Sequence, residues 1–280
     1  MLKTILVVAS GDETDAGTLA AALTVARLFG AHLDVLHVRY DPVNTAVAMA
    51  SDGGSGALTA GLIDQLEQDA NEREAKAKAN FTQSCGAAGL AGPGAPSAEW
   101  HAETGDEPRW MATYGLTSDL IVAPRAPGEA AAARSTVEAV LLETGRPLLI
   151  PGASVMPASI DRIAIAWKPT PQAARAVALA MPLLGRAKEI IVATVEEEPD
   201  QRDTADRLVR NLARHGLAAR TEPLKPGPDG AAATLLLALA GRVDLIVMGG
   251  YGHSRLREWV FGGFTQHMLA DAPLPVLIAH

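Results

Sequence analysis

Asp244-Leu245-Ile246-Val247-Met248-Gly249-Gly250-Tyr251-Gly252, followed by Gly262-Gly263 and the run Phe264 to Leu269, is the stretch that decides the fold. Val243, Leu245, Ile246, Val247 and Met248 make a short apolar run of the kind buried in a parallel sheet, and glycines stand where that run should stop. A glycine lets the backbone approach a ligand with no Cβ in the way. The second glycine pair leads into a predicted helix start, where free N–H groups and the helix dipole favour an anion. The stretch therefore predicts a strand, a phosphate-binding loop and a helix, with a further strand over Pro275 to Ala279.

Outward from this stretch, the chain repeats its own plan, and a repeat is best sought before any local reading. Thr4 to Ala9 and Arg162 to Trp167 are apolar strand candidates, each followed by polar turn residues and an Ala-rich helix. Those helices, about Asp15 to Phe29 and Pro171 to Leu184, end near Gly30 and Gly185, and second strands follow at His32 to Val38 and Glu189 to Thr194. Ser118 to Ala123 matches Val243 to Met248, and Arg146 to Ile150 matches Leu274 to Ile278, as fourth and fifth strands. Strands alternating with helices argue for right-handed βαβ crossovers. The expected fold class is α/β: two tandem units, 1–153 and 158–280, each a mainly parallel five-stranded sheet flanked by helices, with Pro151 to Ser159 as linker.

The spacing Gly249, two residues, Gly252, nine residues, Gly262 resembles that of the nucleotide-binding universal stress proteins. The resemblance implies a Rossmann-like fold of the adenine nucleotide alpha hydrolase-like type and a role in stress response. It also implies bound ATP or AMP in the second unit, with Mg only as a companion of ATP phosphates. The two sheets are expected to meet through their fifth strands, mimicking the family's dimer as an intrachain pseudo-dimer; association of two whole chains stays open. Carried over residue by residue, the binding set is Gly249, Gly252, His253, Gly262, Gly263, Thr265, Trp167 and Lys168.

Several of these positions depart from the family pattern. Gly263 stands where the family usually has Ser or Thr on phosphate, with Thr265 as partial compensation, and Lys168 replaces an Asp expected near ribose and base. Lysine cannot accept hydrogen bonds as a carboxylate does. Trp167 either stacks near adenine or fills core, His253 serves either the loop or the ligand, and Arg255 and Arg257 face either phosphate or Glu258 and Asp271. The first half departs further: Pro124, Arg125, Ala126 and Pro127 replace Gly249 to Gly252, and proline removes an N–H donor and fixes φ. That half reads as a structural partner with a degenerate loop.

With 32 acidic against 24 basic side chains and a net charge of −8, the chain has no basic footprint for nucleic acid or a membrane surface. The single cysteine, Cys85, excludes an internal disulfide and reads as an inert helix-face residue. No P-loop, nucleophile elbow or H-E-x-x-H motif occurs, and the seven histidines show no i, i+4 pair, so no dedicated zinc site is expected. No catalytic residue is assigned; the alternatives to a nucleotide-binding regulator are a nucleotide-independent scaffold for protein clients and a slow ATPase. Cytoplasm is the default location. Asp41 to Gly61 is expected to be a surface loop or lid and Leu90 to Pro96 a flexible connection; Leu62, Leu66, Ala70, Ala77 and Phe81 between them recur at helical spacing.

Overall fold

The computed structural model describes residues 1–51, 60–86, 90, 95–125, 131–152, 157, 159–195, 201–250 and 263–280. The first half runs β1 (Thr4–Val8), α1 (Asp15–Phe29), β2 (His32–Arg39), α2 (Pro42–Ser51), α3 (Ala60–Cys85), β3 (Ser97–Thr104), α4 (Glu107–Gly115), β4 (Leu120–Val122), α5 (Ala131–Glu143) and β5 (Leu148–Ile150). The second runs β6 (Arg162–Ala166), α6 (Pro171–Leu184), β7 (Glu189–Val195), α7 (Gln201–Arg214), β8 (Ala219–Leu224), α8 (Gly230–Leu239), β9 (Leu245–Gly249), α9 (Gly263–Asp271) and β10 (Val276–Ala279).

The ten strands of the described residues join one sheet in the order β3-β2-β1-β4-β5-β10-β9-β6-β7-β8. Among the described residues, pairing is parallel within each half and antiparallel only between β5 and β10, where Leu277 faces Leu149 and Val276 faces Ile150. Both strands are short, apolar and buried, and an apolar edge left unpaired invites aggregation. Each therefore covers the other, and the fifth strands meet as the repeat implies. Because strand direction reverses at that joint, the carboxyl ends of the two halves lie on opposite rims of the sheet. Helices α1, α3, α6 and α7 pack one face and α4, α5, α8 and α9 the other.

A shared aspartate fixes the repeat. Asp119 Oδ2 accepts from the Lys3 and Thr4 amides at 2.7 and 3.2 Å, holding the start of β1. Asp244 Oδ2 does the same for Asp161 and Arg162 at 3.0 and 2.8 Å, and Arg162 adds a 2.7 Å ion pair. These two residues are why Ser118-Asp119-Leu120 and Val243-Asp244-Leu245 read alike.

The expected loop over Asp41 to Gly61 is corrected in part: Pro42–Ser51 is helix α2. Asp41 Oδ1 accepts from the Val43 and Asn44 amides at 2.9 and 3.1 Å, Pro42 takes the first helical position, and Ala46 is fully buried. Asp-Pro is a helix-start signal that the Gly/Ser/Ala-rich composition further along concealed. Residues 52–59, and most of Leu90 to Pro96, lie outside the described residues. Helix α3 buries Ala70 and Ala77 as its spacing requires, and at its end burial pushes the Cys85 thiol up to about 11. Such a thiol is an inert helix-face residue.

Arg125, in the loop that replaces the first half's glycines, ties the halves together. Its guanidinium donates to the carbonyls of Pro151, Met268, Leu269 and Leu274, the second and third at the C-terminal end of α9. A cation there meets the negative end of the helix dipole as well as unpaired carbonyls. Arg125→Ala is expected to lower stability by about 2 kcal/mol, since several buried carbonyls lose their donor at once. Arg125→Lys should recover little, because one ammonium cannot replace a planar fork. Urea unfolding is the measurement, and an unchanged midpoint for Arg125→Ala would remove the clamp from the account.

Candidate functional site

In an open α/β sheet, ligands bind outside the carboxyl ends of strands where the winding reverses. The second half winds from β6 outward through β7 to β8, then returns to β9 and β10 on the other side of β6. Its switch crevice therefore opens between β6 and β9, whose last paired residues are Ala166 and Met248. Trp167 and Lys168 emerge on one side of it, Gly249 and Gly250 on the other.

Both glycines are first required by packing. A Cβ on Gly249 would stand 2.4 Å from the Ala173 amide nitrogen and 2.6 Å from the Gln172 carbonyl carbon, because the first turn of α6 rests on the strand end. A Cβ on Gly250 would stand 2.5 Å from Ile278 Cδ1. The exit of β9 is held by Gly250 N donating to Ala279 O at 2.9 Å and by the His280 ring 3.2 Å from Gly250 O. Gly263, by contrast, has nothing within 4 Å of its Cβ position. Thr265 is buried in the first turn of α9, its methyl 3.9 Å from the Gly250 Cβ position. Gly252, His253 and Gly262 lie outside the described residues, as do Arg255 and Arg257.

Helix α6 starts at the crevice for a local reason: Thr170 caps it by accepting from Ala173 N at 3.2 Å, and Pro171 supplies the preset φ of a first helical residue. Its N-terminal dipole thus points into the site. Trp167 is half-buried, donates from Nε1 to Thr204 Oγ1 at 3.1 Å, and lines an open cleft of about 470 Å³ with Pro169, Thr170, Leu208 and Arg207. The cleft offers a ring-sized apolar wall with a cation beside it. Lys168 is exposed at the rim, and its carbonyl accepts from Thr170 N at 2.7 Å.

Gly250 and Thr265 lie together at the exit of β9, with Gly249 against the first turn of α6, whereas the Trp167 side chain lines a cleft between α6 and α7 whose lining includes no described residue of β9 or α9. Sequence reading missed Gln172, whose Oε1 is buried with no hydrogen-bond partner among the described residues. Nothing in its local sequence marks it; only the packing of α6 on Gly249 brings it here.

The matching crevice of the first half, between β1 and β4, is closed by its own chain. The Ser10 and Gly11 amides are taken by Asp15 at 2.7 and 3.0 Å, and Gly11, at φ 75°, has Arg73 O of α3 2.2 Å from its Cβ position. His37 Nδ1 donates to Ala9 O at 2.7 Å, while its buried Nε2 has no partner among the described residues. Burial raises the carboxyls of Asp15 and Glu107 above their ordinary range, against hydrogen bonds from Ser10, Gly11 and Asn80 to the first and from Thr136 to the second. With Asp12 and Asp106 nearby, an incoming phosphate would meet negative charge there.

The sequence model of the universal stress protein family matches residues 1–114 and 177–280. A universal stress protein from Archaeoglobus fulgidus DSM 4304 is similar at TM-score 0.71 and 16% identity, over 99% of this chain and 95% of that one. A candidate universal stress protein from Pseudomonas aeruginosa UCBPP-PA14 is similar at TM-score 0.57 and 16% identity, over 99% and 93%. The cytoplasmic domain of a prokaryotic cation chloride cotransporter is similar at TM-score 0.50 and 10% identity, over 99% and 95%. At such identities the likeness is one of fold. No curated protein matches the chain. The unmatched stretch 115–176 holds both Pro124 to Pro127 and Trp167-Lys168, where the sequence departs from the family pattern.

The two glycine environments give opposite expectations. Gly249→Ala should destabilise the fold by about 1–3 kcal/mol, the usual range for an overpacked site, while Gly263→Ala should change stability by less than about 0.5 kcal/mol in the direction of added helix propensity. Thermal and urea unfolding of both variants decide it; equal stability of the two would contradict the packing assigned to Gly249.

Proposed function

The chain belongs to the universal stress protein family, and from that premise we propose that it is a stress-response regulator or protective protein that binds one adenine nucleotide in the β6–β9 crevice. The observation that carries the proposal is the contrast between the two switch crevices. One has two helix starts and the acceptor Gln172, with the open cleft of Trp167 beside it between α6 and α7; the other has its turn amides occupied and carboxylates gathered around it.

In this reading the units are 1–153 and 158–280, the second binding and the first supporting. The adenine ring would lie against Trp167 in its cleft, an apolar face suited to an aromatic base. Gln172 Oε1 would accept from a ribose hydroxyl, a role the carboxylate replaced by Lys168 would otherwise fill. Phosphates would run toward the N-terminus of α9, where Gly263 offers an amide and Thr265 a hydroxyl. Gly252, His253 and Gly262 are proposed to complete the loop, and magnesium would enter only with ATP phosphates. With Lys168 at the rim and no hydroxyl on residue 263, AMP is favoured over ATP.

Among the described residues, no side chain around the crevice is arranged as a general base for water, so hydrolysis is expected to stay below about 0.1 per second, far under the median enzyme near 10 per second. The protein would act by its nucleotide state on protein clients in the cytoplasm.

Denaturing the purified chain and identifying what it releases, then titrating the nucleotide-free protein with AMP and ATP by calorimetry, tests the proposal. One adenine nucleotide per chain is expected. Gly263→Ser should tighten binding about fivefold, the worth of one added hydrogen bond, and Gly262→Val should weaken it by about tenfold or more. Absence of binding, two equivalent nucleotides per chain, or brisk turnover would each overturn this reading.

A further inference from the structure

The outer edge of the first half carries a second cluster of chemistry, far from either crevice. Strands β2 and β3 pair in parallel register, with His32 beside Ser97, Asp34 beside Glu99 and Leu36 beside His101. Side chains two apart on a strand share a face. His32, Asp34, Glu99 and His101 therefore project from one face, the one covered by α4, where Tyr114 lies 5.4 Å from the His101 ring.

Both imidazoles converge on one carboxylate oxygen. Asp34 Oδ1 lies 3.3 Å from His32 Nε2 and 3.1 Å from His101 Nε2, and the ligand atoms of His32, Asp34 and Glu99 all lie within 4.8 Å of one another. On the far side of His32, Nδ1 is 2.7 Å from Ser97 Oγ, which fixes the ring with Nε2 toward the cluster. We propose that His32, Asp34 and Glu99 form a zinc-binding site that ties edge strand β3 to β2, with His101, already 3.1 Å from Asp34, turning in as the fourth ligand.

Four arguments support it. Tetrahedral zinc with bonds of roughly 2.0–2.1 Å has ligand-to-ligand edges of about 3.3–3.4 Å, close to the two separations already present at Asp34. Two imidazoles with two carboxylates suit zinc, whereas magnesium and calcium prefer oxygen alone. The two carboxylates balance a dication. Among the described residues, the ion pairs of Asp34 run only to the two imidazoles and Glu99 has none, so no lysine or arginine competes for the position. Finally, the Ser97 contact supplies the outer-shell partner that orients metal-bound histidine.

The neighbourhood has the sign a cation needs. Glu103, two residues past His101 on β3, adds a third carboxylate to this face and accepts from the Tyr114 hydroxyl at 2.8 Å. The sequence expectation of no dedicated zinc site rested on the helical i, i+4 spacing. Here the ligands come as His-x-Asp and Glu-x-His on two strands, a period of two that only the sheet register unites.

Calorimetric titration of the chelator-treated, nucleotide-free full chain with zinc chloride tests the proposal, together with the visible spectrum of the cobalt(II)-substituted protein. One site per chain and the intense bands of tetrahedral cobalt are expected. Asp34→Asn, His101→Gln and the exposed-site variant Glu99→Gln should each weaken zinc binding by more than about tenfold, and Ser97→Ala by roughly 10-fold, the lower end of an outer-shell loss. Circular dichroism checks folding, and Glu99→Gln, which disturbs no packing, keeps the test decisive if another variant unfolds. AMP affinity should not move in any of them. No zinc binding, binding indifferent to Glu99→Gln, or the weak spectrum of octahedral cobalt would overturn the site.

Discussion

Strands Leu148–Ile150 and Val276–Ala279 are each short, wholly apolar and buried, and neither could stand as an exposed edge. Their antiparallel pairing is the constraint from which the rest of the architecture follows. It converts two five-stranded parallel sheets into one sheet of ten and reverses strand direction in the middle. It also sends the two switch crevices to opposite rims. A ligand in one therefore makes no direct contact with a ligand in the other, and the two rims are free to differ.

They differ at equivalent positions. Where the second half leaves β9 through Gly249 and Gly250, the first leaves β4 through Pro124 and Arg125. Arg125 is spent on the Pro151 carbonyl and on carbonyls of the opposite half, so the residue at that corner holds the sheets together. Helix α3 then closes the β1 turn at Gly11, and Asp15 takes its amides. One rim is built for support, the other remains open beside Trp167. The sheet edge at β2 and β3 is a third environment again, rich in imidazole and carboxylate, and independent of both.

Much of the fold was legible because its signals are local. The bounds of α1 and α6 agree with the Ala-rich periodicity, and the doubled Asp-Leu-Ile-Val motif reflects an aspartate that binds strand-start amides in both halves. Helix α2 was hidden because Asp41-Pro42 is a two-residue signal beside a long Gly/Ser/Ala tract. The candidate site was legible only as a list of residues. Gly249 reads in sequence as a ligand-facing glycine, while its tightest constraint is the backbone of α6, more than seventy residues earlier in the chain. Gln172 and the His32–His101 cluster depend on register and helix docking, which no local pattern encodes.

The central claim is that the chain keeps one open crevice, between β6 and β9, for an adenine nucleotide. A crystal of the full chain soaked with AMP tests it most directly. The account predicts density for one nucleotide at the carboxyl ends of β6 and β9, with its base against Trp167 and its phosphate toward the start of α9. Density between β1 and β4, in both crevices, or away from Trp167 would contradict it.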